Sequence, residues 1–193
     1  DGTTSTVLGP DVLCNDKLPP ESQPRLDTLA WDAAHGELVA GGSLTVAVPV
    51  HDLYTMVWRI KPSGEAKRVL WAKKASRVSP AGVHLDGVSA LIVDAAGQVY
   101  ILTQQMMLFE RRGFDAFQLM KLDEGRQTAV AVSGTKIRAG TWMPEHPFDG
   151  PLDQAHFRAP TQMCFAPSGA LFVADDILIR KVDLKGSVVT WVF

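Results

Sequence analysis

No stretch of this 193-residue chain approaches the roughly 18 consecutive apolar residues that a membrane-spanning helix needs. An excess of charge of one sign is missing too. The 19 Lys and Arg against 21 Asp and Glu leave a formal net charge of −2, which argues against a general nucleic-acid binder with a basic face. The one dense basic cluster, KRVLWAKKASR at 67–77, reads as a solvated strand and loop. Only two cysteines are present, Cys14 and Cys164, which excludes a small scaffold held together by several disulfides. Cys164, between Met163 and Phe165, reads as a buried free thiol and Cys14 as incidental. A long-range disulfide stays open for an exported protein. The catalytic punctuation is thin. No C-x-x-C or H-x-x-x-H spacing occurs, Ser43, Ser89 and Ser133 have no G-x-S-x-G context, and VSGTKIRAG is not a phosphate loop. No amphipathic pattern of ten or more residues marks a helix.

What the sequence does hold is a period. Gly2, Gly64, Gly125 and Gly186 are separated by 62, 61 and 61 residues. A second turn glycine precedes each of the last three, Gly36 and Gly97 by 28 residues and Gly169 by 17. Around these turns lie short β-branched and aromatic runs. LDTLAWD, VSALIVD and PTQMCFA come first in each unit, and ELVAGG, VYILTQ and LFVAD second. MVWRI, FQLMKL and ILIRKV come third, and RVLW, QTAVAV and VVTWVF fourth. Four to eight residues long and bounded by Gly, Pro, Asp or Ser, they carry the strand signature. The expected fold is therefore all-β: three four-stranded blades at 26–71, 85–132 and 148–193, with a lone strand at 1–9. A four-stranded meander repeated at a fixed period predicts a β-propeller, because a twisted sheet hides both faces only by leaning on its neighbours. Trp31, Trp58, Trp71 and Trp191 fall in these strands and read as packing between blades.

The last unit, AHFRAPTQMCFAPSGALFVADDILIRKVDLKGSVVTWV, resembles the NHL repeat. The matching residues are Ala155, Phe157, Pro160, Pro167, Gly169, Leu171 to Asp175, Ile179 to Asp183, Gly186 and Val188. The first two units keep the glycines and apolar alternation without VAD and RK. The resemblance implies a propeller, commonly six-bladed, that binds proteins, nucleic acids or small ligands. Related six-bladed propellers include lactonases and lyases.

Three units and one strand do not close a ring, since propellers use about four to eight blades. The partner expected first is the remainder of the propeller, on another segment of a longer chain or in a second copy. The longer chain is preferred, because a simple dimer leaves the strand at 1–9 redundant. Asp1 follows no initiator methionine, which fits a processed or excerpted chain and leaves the compartment open, with export favoured.

In an antiparallel meander the first-to-second and third-to-fourth turns share one end. Here those turns are short. The opposite end collects 9–25, 43–53, 72–86, 105–116 and 133–160, read as long loops, where binding and catalysis concentrate on rigid scaffolds. His35 sits at the short-turn end and drops out on this reasoning. Ligand or partner binding falls to His84, Asp86, Glu110, Arg111, Arg112, Trp142, His146 and His156. Arg111 and Arg112 lie between Phe109 and Phe114, a composition favoured at interface hot spots, although a solvated loop anchored by the two Phe is the simpler reading. Trp142 and His146 lie in an apolar, proline-bearing loop that either plugs the channel mouth or lines a ligand site. His84, Asp86 and His156 are the weak metal candidates, for zinc or calcium; otherwise no cofactor is expected. The readings that follow are a binding scaffold for a protein or small molecule, a metal-assisted lactonase or lyase with its site at the channel mouth, and a structural module of a larger extracellular protein. Neither a nucleic-acid partner nor a membrane span is expected.

Overall fold

The computed structural model describes residues 23–46, 52–73, 85–109, 112–134, 149–155 and 157–192. These form thirteen strands and, among the described residues, no helix. Among the described residues no helix is therefore long and apolar enough to cross a membrane. The first sheet is β1 (Gln23–Asp32), β2 (Glu37–Val46), β3 (Asp52–Ile60) and β4 (Ala66–Lys73). The second is β5 (Asp86–Val93), β6 (Val99–Phe109), β7 (Arg112–Asp123) and β8 (Thr128–Ala131). Two residues, β9 (Gly150–Pro151), precede the third, which is β10 (Pro160–Phe165), β11 (Leu171–Asp175), β12 (Leu178–Val182) and β13 (Ser187–Val192). Each sheet is an antiparallel meander in chain order, and β9 adds a fifth strand outside β13. All twelve runs read from the sequence are strands, in the expected order.

The repeating turns have a common chemistry. Gly64, Gly97, Gly169 and Gly186 each donate their N–H to the carbonyl three residues earlier, at 2.8–3.0 Å. Aspartates organise two of these turns: Asp94 accepts from the amides of Ala96 and Gln98, and Asp183 from that of Lys185, all at 2.9 Å. Such side-chain bonds hold the backbone in the reversal before any tertiary contact forms.

The sheets pack face to face. Val39, Val57, Val69 and Leu70 of the first meet Val88, Leu91, Val99, Ile101, Met120 and Leu122 of the second. On the second sheet's other face, Ala90, Tyr100, Leu102 and Leu119 meet Phe157, Leu171, Val173, Val182 and Val188. The middle sheet is thus apolar on both sides, and β6 (Val99, Tyr100, Ile101, Leu102) shows it as a continuous apolar run. β5 lies against β1, β2 and β3 on one side and β10 on the other. Gly41 permits that closeness: a Cβ there would stand 3.0 Å from both Thr28 Cγ2 and Val88 Cγ1. A third cluster of Ala40, Leu44, Met56, Trp58 and Ile60 lies on the first sheet's outward face.

Several expectations change. Residues 105–109 and 112–116 are no loop: β6 and β7 pair to their ends, from Gln105 opposite Ala116 to Phe109 opposite Arg112, so the ladder satisfies this backbone. Most of 43–53 is likewise strand, paired out to Val46 opposite Asp52. Cys164 is free but exposed, because it points away from the second sheet while its neighbours Met163 and Phe165 pack toward it. Trp31 is 55% exposed and does not pack between sheets, whereas Trp58 is buried. The strand expected at 1–9 lies outside the described residues.

Candidate functional site

The densest polar constellation sits at the short-turn end, between the first and second sheets. Asp32 ends β1 with its side chain fully buried. Its Oδ1 accepts from the amides of Ala34 (2.9 Å) and His35 (3.3 Å), and its Oδ2 meets His35 Nδ1 at 2.7 Å and Arg59 Nη1. Arg59, on the inward face of β3, crosses to the second sheet. Its Nε donates to both carboxylate oxygens of Glu124 at 2.9 Å, and its Nη2 donates to the Gly97 carbonyl at 2.7 Å. Glu37 stands 3.7 Å from Nη1. One guanidinium therefore links β1, the β5–β6 turn and the β7–β8 turn.

The electrostatics follow from this packing. Burial alone would push the Asp32 carboxyl up, but hydrogen bonds from Arg59 and His35 outweigh it and hold the group below the usual carboxylate range. With that carboxylate ionised, His35 Nδ1 carries the shared proton. Burial favours the neutral form of Arg59, yet Glu124 and Asp32 raise its pKa, so the cation persists. A cleft of about 590 Å³ opens beside it, lined by His35, Arg59, Gln98, Lys121, Glu124 and Val130 among others. The donors of Arg59 are committed within the protein. Its chemistry is that of a clasp between sheets.

Gly97 makes the clasp possible. Its φ of +80° is unfavourable for any side chain, and a Cβ there would lie 2.3 Å from His35 Cε1. Gly97→Ala is expected to lower the unfolding free energy by about 1–3 kcal/mol from backbone strain, with the His35 clash added. Adding His35→Ala restores only the clash part, which urea denaturation of the single and double variants measures.

A second buried ion pair organises the third sheet near its long-loop end. Arg180 and Asp175 are both fully buried. Arg180 Nη1 donates to Asp175 Oδ2 at 3.1 Å and Nη2 to Asp149 Oδ1 at 2.7 Å, with the guanidinium 5.8 Å from the Phe157 ring centre. Asp175 Oδ1 also accepts from the amides of Arg158 and Ala159, and Asp149 Oδ2 from that of Thr190. These bonds fasten the segment leading into β10 onto β11, β12 and β13.

The residues singled out from the sequence are placed only in part. Asp86 opens β5 opposite Gln104, and Arg112 opens β7 opposite Phe109; both are described through their backbones. Beside Asp86, Thr55 donates to the Leu85 carbonyl at 3.0 Å and accepts from the Gly87 amide at 2.8 Å, anchoring the start of β5 to the first sheet. His84, Glu110, Arg111, Trp142, His146 and His156 lie outside the described residues, as does Cys14. Among the described residues no group of three or more His, Cys, Asp or Glu is placed to hold a metal. Sequence reasoning missed Asp32, His35, Arg59 and Glu124. The signal was an arginine inside the apolar run MVWRI, together with an aspartate closing the first strand ahead of a turn.

No family model matches the chain, and comparison with curated proteins finds no match either.

Proposed function

We propose that this chain is part of an NHL-like β-propeller that serves as a binding scaffold, taking a protein or small-molecule ligand at its long-loop end. The radial arrangement is supported by the first strands: β1 and β10 both lie against β5, as inner strands do around a shared axis. The binding surface is supported by one observation above the rest. β6 and β7 run 11 and 12 residues, whereas their counterparts β11 and β12 have 5 each and are joined by Asp176 and Ile177 alone. β5 pairs β6 no further than Gln104, and β8 pairs β7 no further than Met120. The paired strands Gln105–Phe109 and Arg112–Ala116 thus grow out of the sheet as a two-stranded ribbon. His84, Asp86, Trp142, His146 and His156, assigned to the long-loop end by the sequence reading, are the further candidates.

Replacing Arg111 and Arg112 together by alanine is expected to weaken retention of a captured partner about tenfold, the order of a hot-spot loss. The melting temperature should stay unchanged, since the three apolar clusters are built from residues outside 105–116. Undiminished retention in a pull-down with purified variant protein contradicts this reading.

A further inference from the structure

The cleft of about 590 Å³ beside the inter-sheet clasp has the volume of a small-molecule site, and part of its lining is not used by the fold. Most polar groups around it are spent. Arg59 gives its donors to Asp32, Glu124 and the Gly97 carbonyl, and Gln98 Nε2 donates to the carbonyls of Val99 and Leu122. His35 keeps something in reserve. Its Nδ1 is held 2.7 Å from Asp32 Oδ2, so the neutral ring carries its lone pair on Nε2, which has no hydrogen-bond partner among the described residues. The side chain is 55% exposed and lies against Gly97, where a Cβ would stand 2.3 Å from Cε1. Lys121 is exposed, with no hydrogen bond or ion pair among the described residues. Val130 is an exposed apolar side chain on the same lining.

The strand register places these groups on different sides. Lys121 stands opposite Tyr100 and Val130, on the face that the middle sheet turns toward the third. His35 and Arg59 reach the cleft from the first sheet. The cleft thus crosses the short-turn edge of the middle sheet, between the β5–β6 and β7–β8 turns, and its two sides carry unlike charge. On the His35 side the carboxylates of Asp32, Glu37 and Glu124 surround one guanidinium, three negative groups against one positive. On the other side stands the unpaired ammonium of Lys121. We infer that this cleft binds a small zwitterion of the amino-acid class. The ligand's ammonium donates to His35 Nε2 on the carboxylate-rich side, its carboxylate meets Lys121, and its apolar part lies on Val130. Asp32, held ionised by its bonds from Arg59 and His35, keeps the proton on Nδ1 and so keeps Nε2 an acceptor. A cation alone would leave Lys121 unanswered, and an anion alone would face the three carboxylates; a molecule with both charges suits each side. The inference needs only the contacts between the first two sheets and the register of the second, and stands apart from the long-loop reading.

Titration of the isotope-labelled chain with L-leucine, followed by nuclear magnetic resonance, tests it. Leucine should shift the amide signals of Gly97 and Gln98 with a Kd of about 1 mM. Two further probes each lack one charge: isopentylamine has no carboxylate and isocaproate no ammonium. Each should bind at least about tenfold more weakly than leucine. Lys121→Met should bring leucine down to the affinity of isopentylamine while isopentylamine itself binds no more weakly than before. His35→Ala should bring leucine down to the affinity of isocaproate while isocaproate binds no more weakly. Variants that weaken all three probes alike would show a loosened fold in place of charge recognition, and overturn the inference. Leucine that moves neither amide well above the expected Kd, or that binds no better than the single-charge probes, overturns it too.

Discussion

Arg180→Leu is expected to lower the unfolding free energy by about 3–5 kcal/mol, the scale of breaking a buried ion pair by removing one partner. Asp175 would keep its bonds from the Arg158 and Ala159 amides but lose the cation that offsets its burial, and Asp149 would lose its link to β12. Arg180→Lys should recover little. A single ammonium does not supply the two-pronged geometry that joins Asp175 to Asp149. The expected structural consequence is local: the segment 149–159 loosens from β12 and β13 before the first sheet responds, which amide exchange of the Arg158 and Ala159 N–H groups would read. A loss under about 1 kcal/mol would mean that the hydrophobic neighbours Phe157 and Val182 hold the segment without the ion pair.

Arg59→Met should cost a comparable amount, about 3 kcal/mol, because it strands the buried Asp32 carboxylate and uncouples the first sheet from the turns at Gly97 and Glu124. The pH dependence separates the parts. Asp32 titrates lower when folded than when unfolded, so its contribution is present above the unfolded value near 3.9 and is lost as pH falls through the folded value. Asp32→Asn should therefore be less stable than the parent at pH 7, and the gap should close as the solution is acidified below about pH 4. A gap independent of pH would show that Asp32 acts through its amide-accepting oxygens alone, without charge.

The periodicity of turn glycines made the sheets legible, since a strand pattern bounded by Gly64, Gly97, Gly169 and Gly186 leaves few alternatives. The side of each strand facing a neighbour was less legible. Trp31 and Cys164 alternate with inward residues just as buried ones do, and only the stacking order reveals that they point away from the middle sheet. The ribbon of β6 and β7 was hidden because Glu110, Arg111 and Arg112 read as loop composition, although Arg112 already pairs with Phe109 in the ladder. The inter-sheet clasp was missed for a different reason. His35 and Arg59 are 24 positions apart and meet through Asp32, so proximity depended on the fold; short turns were also set aside as chemically bare. Arg180 and Asp175 were visible as part of the family-like pattern, but that pattern did not disclose their partnership with Asp149.

The central claim is that the three sheets fan out from a shared axis with their first strands innermost. The most direct measurement compares two spin-label distances across the same pair of sheets, in a Cys14→Ser, Cys164→Ser chain diluted with unlabelled protein. One pair joins Arg25 on β1 to Thr161 on β10, and the other joins Lys67 on β4 to Lys185 in the turn before β13. A fan requires the second separation to exceed the first clearly. Equal separations would mean parallel layers and would contradict the account.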